Sequence, residues 1–281
     1  MLSERLLIFT DLDGSLLDHD TYSHAPADDL LAALKKNHVP VIPCTSKTQA
    51  ELEAIRTELE NNHPFIAENG AAVFIPEEYF AVTENTLVLR KPFWVKEFIQ
   101  SRAHWQSLLA QLPNDLQETF ITFEQAGVKG IAQMTGLNMD QATLAANRQY
   151  GEPLKWLGTE AQRNVFIQLM HQAGANVLQG GRFLHISGQT NKGLALNWLK
   201  QQYSSSAPTR KTIALALGDS DNDIAMLEAA DYAVIIRSPS HPPPIVTNPN
   251  PKQVYTTQSE GPSGWVEGVH WFLEQQAMNL D

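Results

Sequence analysis

The run Leu6-Leu7-Ile8-Phe9-Thr10, ending in Asp11-Leu12-Asp13-Gly14, constrains this chain more than any other segment. A short, continuously apolar stretch that stops at acids and a glycine is the pattern of a strand buried on both faces, the habit of parallel sheets. The pattern repeats. Val39 to Cys44 and Phe65 to Ala67 read as further strands. Between them, Pro26 opens a helix carrying Leu30, Leu31 and Leu34, and Leu52, Ile55 and Leu59 mark a second one over 47–62. Near the C-terminus, a strand at Thr212 to Leu217, a helix through Met226-Leu227 and a strand at Ala233 to Ile236 follow the same alternation. Strands alternating with helices predict an α/β fold with a parallel sheet wrapped by helices, and in such sheets ligands bind beyond the carboxyl ends of the strands.

The charge is unevenly spread. The chain of 281 residues has a formal charge of −11, yet residues 83–185 hold 9 Lys or Arg against 8 Asp or Glu, and the remainder 11 against 23. This asymmetry is expected of a core (1–82 and 186–281) interrupted by a separately folded insertion (83–185) that meets an anionic ligand. A merely solvated surface produces it equally well. An acidic surface excludes a nucleic-acid or anionic-membrane binder. The one cysteine, Cys44, rules out internal disulfides and multi-thiolate zinc sites, and no apolar run reaches the roughly 18 residues of a membrane span. A cytoplasmic protein with a small-molecule partner is the expectation.

Two acidic strand ends invite chemistry. Asp11 and Asp13 are two apart on extended chain, so both side chains can face one ligand. Two such carboxylates repel unless a divalent cation or a proton relieves them. An Asp- and Gly-rich turn is the plain alternative. The second cluster, Gly218-Asp219-Ser220-Asp221-Asn222-Asp223, also follows an apolar strand. Asp221 and Asp223 suit the N-terminus of the next helix, whereas Asp219 stands at the strand end and is the better metal ligand. Oxygen ligands with no His or Cys cluster suit Mg²⁺. At the end of the second strand, Thr48-x-x-Glu51 reads as a capping box, which frees Thr45 to present its hydroxyl to a ligand. Lys192 opens a helix carrying Leu194, Trp198 and Leu199. A first-turn lysine opposes the helix dipole, so an anion is expected to hold it there, unless it is an ordinary surface lysine.

The ordered set Asp11-x-Asp13-Gly14, Thr45, Lys192 and Gly218-Asp219-x-x-Asn222-Asp223 resembles the haloacid dehalogenase (HAD) superfamily of aspartyl-phosphate phosphatases over almost the whole chain. The resemblance implies a Rossmann-like parallel-sheet core with an inserted α/β cap domain between Thr45 and Lys192. Further stretches resemble mannosyl-3-phosphoglycerate phosphatases in particular. These are Cys44-Thr45-Ser46-Lys47-Thr48, Ala67-Glu68-Asn69-Gly70-Ala71, Thr135-Gly136-Leu137, Arg148-x-Tyr150-x-Glu152-Pro153 and Gly180-Gly181-Arg182-Phe183-x-His185. Thr45 stands where Ser is frequent and Gly151 where Ser is expected.

By this resemblance Asp11 is the nucleophile and Asp13 the general acid and base. Thr45 and Lys192 neutralise the phosphoryl oxygens. Mg²⁺ is held by Asp11, the Asp13 carbonyl and Asp219, with Asp223 orienting the shell. Ser46, Lys47, Glu68, Asn69 and Asn222 are expected at the substrate. In the cap, Arg148 and Arg182 are expected to take the glycerate carboxylate and Glu152 the sugar hydroxyls. An ordinary Arg148–Glu152 ion pair is the competing expectation. The implied reaction is Mg²⁺-dependent hydrolysis of mannosyl-3-phosphoglycerate. Glucosyl-3-phosphoglycerate or another sugar phosphate is the rival substrate. A phosphosugar mutase, a phosphotransferase and a catalytically dead binding protein are the other classes.

Overall fold

The computed structural model describes residues 4–80, 86–180, 182–247 and 251–280. Strand β1 (Arg5–Thr10) is buried from Leu6 onward, as a doubly covered strand must be. A short 3-10 turn at Ala25–Ala27 carries Pro26 and leads into α1 (Asp28–Lys36), which buries Leu30 and Leu34. Strand β2 (Val41–Pro43) is shorter than the run 39–44 suggested, because prolines 40 and 43 remove ladder donors. Helix α2 (Gln49–Glu58) begins at Thr48, whose capping box with Glu51 forms as expected. Strands β3 (Phe65–Ala67), β4 (Ala72–Pro76), β5 (Val88–Arg90) and β6 (Phe93–Glu97) follow and form a four-stranded sheet in the order β3-β4-β6-β5.

The chain continues with α3 (Arg102–Leu109), α4 (Asn114–Gln117), β7 (Phe120–Thr122), α5 (Phe123–Thr135), α6 (Met139–Ala146), β8 (Glu152–Trp156), α7 (Glu160–Gln172), β9 (Asn176–Gly180) and β10 (Phe183–Ser187). Its sheet runs β7-β8-β10-β9, with antiparallel neighbours throughout. Trp105 and Leu109 of α3 and Phe166 and Met170 of α7 pack on Leu154, Leu184 and Ile186. By strand alternation, that helix-covered face also takes Glu152.

The chain then returns through α8 (Lys192–Ser206), β11 (Thr212–Gly218), α9 (Ile224–Ala229), β12 (Tyr232–Arg237), β13 (Val254–Glu260) and α10 (Gly261–Gln275). Helix α8 buries Ala195, Leu196, Leu199 and Tyr203, whereas Leu194 points outward, 50% exposed. The main sheet is wholly parallel in the order β13-β12-β11-β1-β2, and a parallel bridge between Cys44 and Ile66 joins it to β3. The expected α/β core is thus present.

The chain divides into two compact units: residues 1–46, 61–96 and 191–281, and residues 47–60 with 97–190. The boundary drawn at 82/83 lies outside the described residues. The hairpin β5–β6 pairs with β4 and falls in the first unit, while residues 97–190 fall in the second. The composition shift reports surface charge and cannot see which sheet a hairpin joins.

Candidate active site

Strands β1 and β11 are neighbours in register, Thr10 opposite Leu217, so the two acidic clusters emerge side by side at their carboxyl ends. Asp11 extends the ladder by one bond, its N–H donating to the Leu217 carbonyl at 2.9 Å. Behind it, the buried Trp265 indole N–H donates to Thr10 Oγ1 at 3.0 Å, and that hydroxyl donates to the Asp11 carbonyl at 2.6 Å. The backbone of Asp11 is therefore fixed on both sides. The chain then turns sharply: Gly14 lies at φ +76°, and a Cβ there would sit 2.8 Å from Asp219 Oδ2. Only glycine meets both demands.

Lys192 lies at the centre of the site. Its ammonium donates to Asp11 Oδ1 and Asp223 Oδ1, both at 2.6 Å, and it is fully buried. These two carboxylates are what holds a cation in the first turn of α8. The turn itself is placed by Gly70, at φ +89°, where a Cβ would lie 2.2 Å from the Asn191 carbonyl oxygen. Asp223 is equally committed. Its Oδ2 accepts the backbone N–H groups of Asp219 and Ser220, both at 3.1 Å, so it shapes the loop as well as holding the lysine.

The rim is tied together by hydrogen bonds. Asn69 N–H donates to the Thr45 carbonyl at 2.9 Å, and Asn222 Nδ2 donates to Asn69 Oδ1 at 3.1 Å. Thr45 is fully buried, Glu68 nearly so, and Ser46 and Asp13 are half-buried. Asp11, Asp13, Thr45, Ser46, Glu68, Asn69, Lys192, Asp219, Asn222 and Asp223 thus all belong to the first unit. Contacts or hydrogen bonds link Asp11, Lys192, Asp223 and Asp219, and join Thr45 to Asn222 through Asn69. Lys47 belongs to the second unit.

Electrostatically the site holds more negative charge than Lys192 can balance. Burial raises the Asp11 carboxyl well above the usual carboxylate range, and Asp223 and Asp13 add to the rise while Lys192 opposes it. Burial and then Asp223 also raise Asp219, against His241 and Lys192. Burial favours the neutral form of Lys192, but Asp11 and Asp223 outweigh it and raise the ammonium above its usual range. Asp11, Asp219 and Asp223 each offer an oxygen within 4.8 Å of the others. Hard oxygens and surplus negative charge fit a divalent cation. Burial likewise pushes the Cys44 thiol far up, which makes it an inert core group.

The cap residues fare differently. Glu152 does not await sugar hydroxyls: it is fully buried, and its carboxylate takes Arg102 Nε at 2.6 Å, Arg102 Nη2 at 3.1 Å and Gln106 Nε2 at 2.9 Å. It shares the face of Leu154 beneath α3. The competing ion pair does exist, but with Arg102 in place of Arg148. Arg182 is exposed and donates to the Thr135 carbonyl at 3.0 Å; Gly181 lies outside the described residues. Arg148 is half-buried, and its charge combines with the burial of His185 to push that imidazole down to about 4.

Sequence reasoning missed His241, whose Nε2 lies 3.2 Å from Asp219 Oδ2. Its spacing from other histidines carries no signal. Its position four residues beyond the end of β12, at a carboxyl strand end, does. Ser15, buried, with Oγ 3.5 Å from Asp219 Oδ1, was also passed over.

The family model described as haloacid dehalogenase-like hydrolase matches residues 8–133, and that of Sucrose-6F-phosphate phosphohydrolase matches residues 164–273. The chain is 37% identical over 265 residues to a glucosyl-3-phosphoglycerate/mannosyl-3-phosphoglycerate phosphatase of Methanococcoides burtonii, covering 94% of this chain and 95% of that one. Among solved structures, a HAD-superfamily phosphatase from Bacteroides thetaiotaomicron superposes with a TM-score of 0.64 at 18% identity, over 98% of this chain and 96% of that one. The sucrose-phosphatase of Synechocystis, solved with sucrose and phosphate, gives 0.53 at 17% identity, over 96% and 98%.

Proposed function

The chain belongs to the mannosyl-3-phosphoglycerate phosphatase family of the HAD superfamily and is a phosphoric monoester hydrolase, and from that premise we propose that it hydrolyses mannosyl-3-phosphoglycerate to mannosylglycerate and phosphate, using Mg²⁺. The observation that carries the substrate is the likeness to the Methanococcoides enzyme, which runs through core and insertion alike. That enzyme's name covers the glucosyl ester too, and glucosyl-3-phosphoglycerate is the second reading. The model match to sucrose-phosphate phosphohydrolase supports a phosphorylated sugar in general.

In the proposed mechanism Asp11, held by the ladder and by Lys192, attacks phosphorus. The bond to the glycerate oxygen breaks as an aspartyl-phosphate forms, and Asp13 gives that oxygen its proton. Water then attacks the same phosphorus, Asp13 takes its proton, and Asp11 is released with inorganic phosphate. Lys192 and Thr45 neutralise charge on the phosphoryl oxygens, preorganised because both are buried and fixed before substrate arrives. Asp11, the Asp13 carbonyl and Asp219 would hold Mg²⁺, with Asp223 orienting them, and the ion would offset the negative charge of carboxylates and ester. The second unit acts as a cap that selects the glycosyl glycerate, with Arg148 and Arg182 as its carboxylate-binding candidates. Ser46, Lys47, Glu68, Asn69 and Asn222 line the substrate in this reading. We take the reaction to be cytoplasmic, a reading that the unpaired, buried Cys44 supports. Among the described residues no helix is long and apolar enough to cross a membrane.

The test is a phosphate-release screen over mannosyl- and glucosyl-3-phosphoglycerate, sucrose 6-phosphate and hexose phosphates, with Mg²⁺ and with chelator. Highest kcat/KM on mannosyl-3-phosphoglycerate, lost with chelator, is the expected result. Preference for a simple hexose phosphate would overturn the substrate, and phosphate appearing only when an acceptor sugar is added would make the protein a phosphotransferase.

A further inference from the structure

The first unit holds a cavity of about 460 Å³ at the amino ends of β1 and β2. Every described residue that lines it belongs to that unit. Asp11 and Thr45 lie just past the opposite, carboxyl ends of the same two strands. The six residues of β1 span about 20 Å, so this cavity is separate from the catalytic centre. Its volume is that of a small-molecule site.

The chain carries 31 Asp and Glu against 20 Lys and Arg. The cavity wall reverses that balance: it contains Arg5, Lys36 and Arg210 and, among the described residues, no acid. Glu4, next to Arg5 in the chain, is taken by Lys211. Helices α1 and α8 both end here, and a helix C-terminus attracts cations. Arg5 meets that demand with one amino group, Nη1, which donates to the Tyr203 carbonyl at 2.7 Å in the last turn of α8 and to Ser206 Oγ at 3.1 Å. Each helix end offers about half a negative charge, so against three cations a surplus of about two positive charges remains. Donors are also to spare. Among the described residues, Arg5 Nε and Nη2 and the Lys36 ammonium make no hydrogen bond or ion pair. The rest of the wall is largely apolar and stiff. Leu6 and Val39 line it, and the rings of Tyr79, Phe80 and Tyr203 pack edge to face with centroids 5.3–5.9 Å apart. The Tyr203 hydroxyl donates to Tyr79 Oη at 2.9 Å, which fixes the two phenols together.

We infer that this cavity is a second binding site, which takes a small aromatic anion: the charged group meets Arg5 and Lys36, and the flat ring lies on the apolar wall. Unpaired cations beside a fixed aromatic surface are complementary to that combination, since the ring buries apolar area while the anion supplies the missing countercharge. The inference is independent of the reaction at Asp11.

The probe is 8-anilinonaphthalene-1-sulfonate, an aromatic anion whose sulfonate a phosphatase does not hydrolyse. It is titrated by fluorescence into the full-length natural chain, Lys36→Glu and Lys35→Glu, with thermal melts to show that all three are folded. Both substitutions make the same charge change in the last turn of α1, but only Lys36 lines the cavity. Lys36→Glu is expected to raise the Kd about 10-fold or more, and Lys35→Glu less than about threefold, because water and salt screen it. Lys36→Gln, the milder variant, should fall between the natural chain and Lys36→Glu. Benzenesulfonate should displace the probe, and sodium sulfate at the same concentration should not. Equal Kd in the natural chain and Lys36→Glu, or no saturable binding by the natural chain, overturns the inference. An equal loss in Lys35→Glu and Lys36→Glu would show a diffuse effect of helix-end charge and overturns it too. Displacement by sulfate as readily as by benzenesulfonate would overturn the aromatic part of the ligand.

Discussion

Replacing Glu152 with Gln separates a structural carboxylate from a substrate-reading one. Glu152 is fully buried and accepts two bonds from Arg102 and one from Gln106. Removing one charge of a buried pair costs about 3–5 kcal/mol, because the surviving ion stays desolvated. Arg102 keeps some support here, from the Ala146 carbonyl at 3.1 Å and from the exposed Glu124 at 3.3 Å. The lower end, about 3 kcal/mol, is therefore expected. At about 2–4 °C per kcal/mol for a chain of this size, that is a fall of roughly 6–12 °C in melting temperature. The assay is calorimetric melting paired with kcat/KM on mannosyl-3-phosphoglycerate and on p-nitrophenyl phosphate below the melting range. The two activities should change by the same small factor. An unchanged melt with a loss confined to the glycosyl substrate would refute the structural role and restore Glu152 as a sugar contact.

Three further expectations follow from the site. Lys192→Met leaves the buried Asp11 and Asp223 without their cation, so kcat should fall about 10²–10³-fold, and a variant with natural turnover would contradict its role. Asp13→Asn should depress kcat more than Thr45→Val, which loses one phosphoryl hydrogen bond worth about 1–3 kcal/mol; the reverse order, with both variants folded, would exchange their assignments. His185 has its imidazole held down at about 4 in the fold, so it stays neutral there while the unfolded chain binds a proton below about 6.5. Its contribution is present above that value and is lost as pH falls towards 4. About 2 kcal/mol should disappear between pH 7 and pH 5, and His185→Gln should flatten that part of the stability profile in pH-dependent melts.

How far the sequence revealed the molecule depends on whether the signal was local. Buried strands β1 and β11 were readable because a doubly covered strand must be apolar at every position. The acids after them stood out by contrast. The Thr48 capping box was readable because its partners lie three residues apart. Lys192 was betrayed by its conflict with the helix dipole, and the resemblance supplied its partners. Glu152 was misread through neglect of a period of two: it shares a strand face with Leu154 and Trp156, so a core position was available in the sequence. Its true partner, Arg102, lies 50 residues away and no spacing rule connects them. The place of His241 beyond a carboxyl strand end was readable, but its partner was not, since only the parallel order of β12 beside β11 brings it to Asp219. Likewise no local signal showed that hairpin β5–β6 shares a sheet with β4, a long-range choice.

The central claim is that Asp11 attacks phosphorus, and phosphate release by Asp11→Asn tests it most directly. The natural protein and the variant are assayed together on mannosyl-3-phosphoglycerate with Mg²⁺, with matching melts to show that both are folded and mass spectrometry to exclude deamidation back to Asp. Release of phosphate by the natural protein and its abolition in Asp11→Asn is the predicted result. Turnover by a verified Asp11→Asn at the rate of the natural protein would contradict the account.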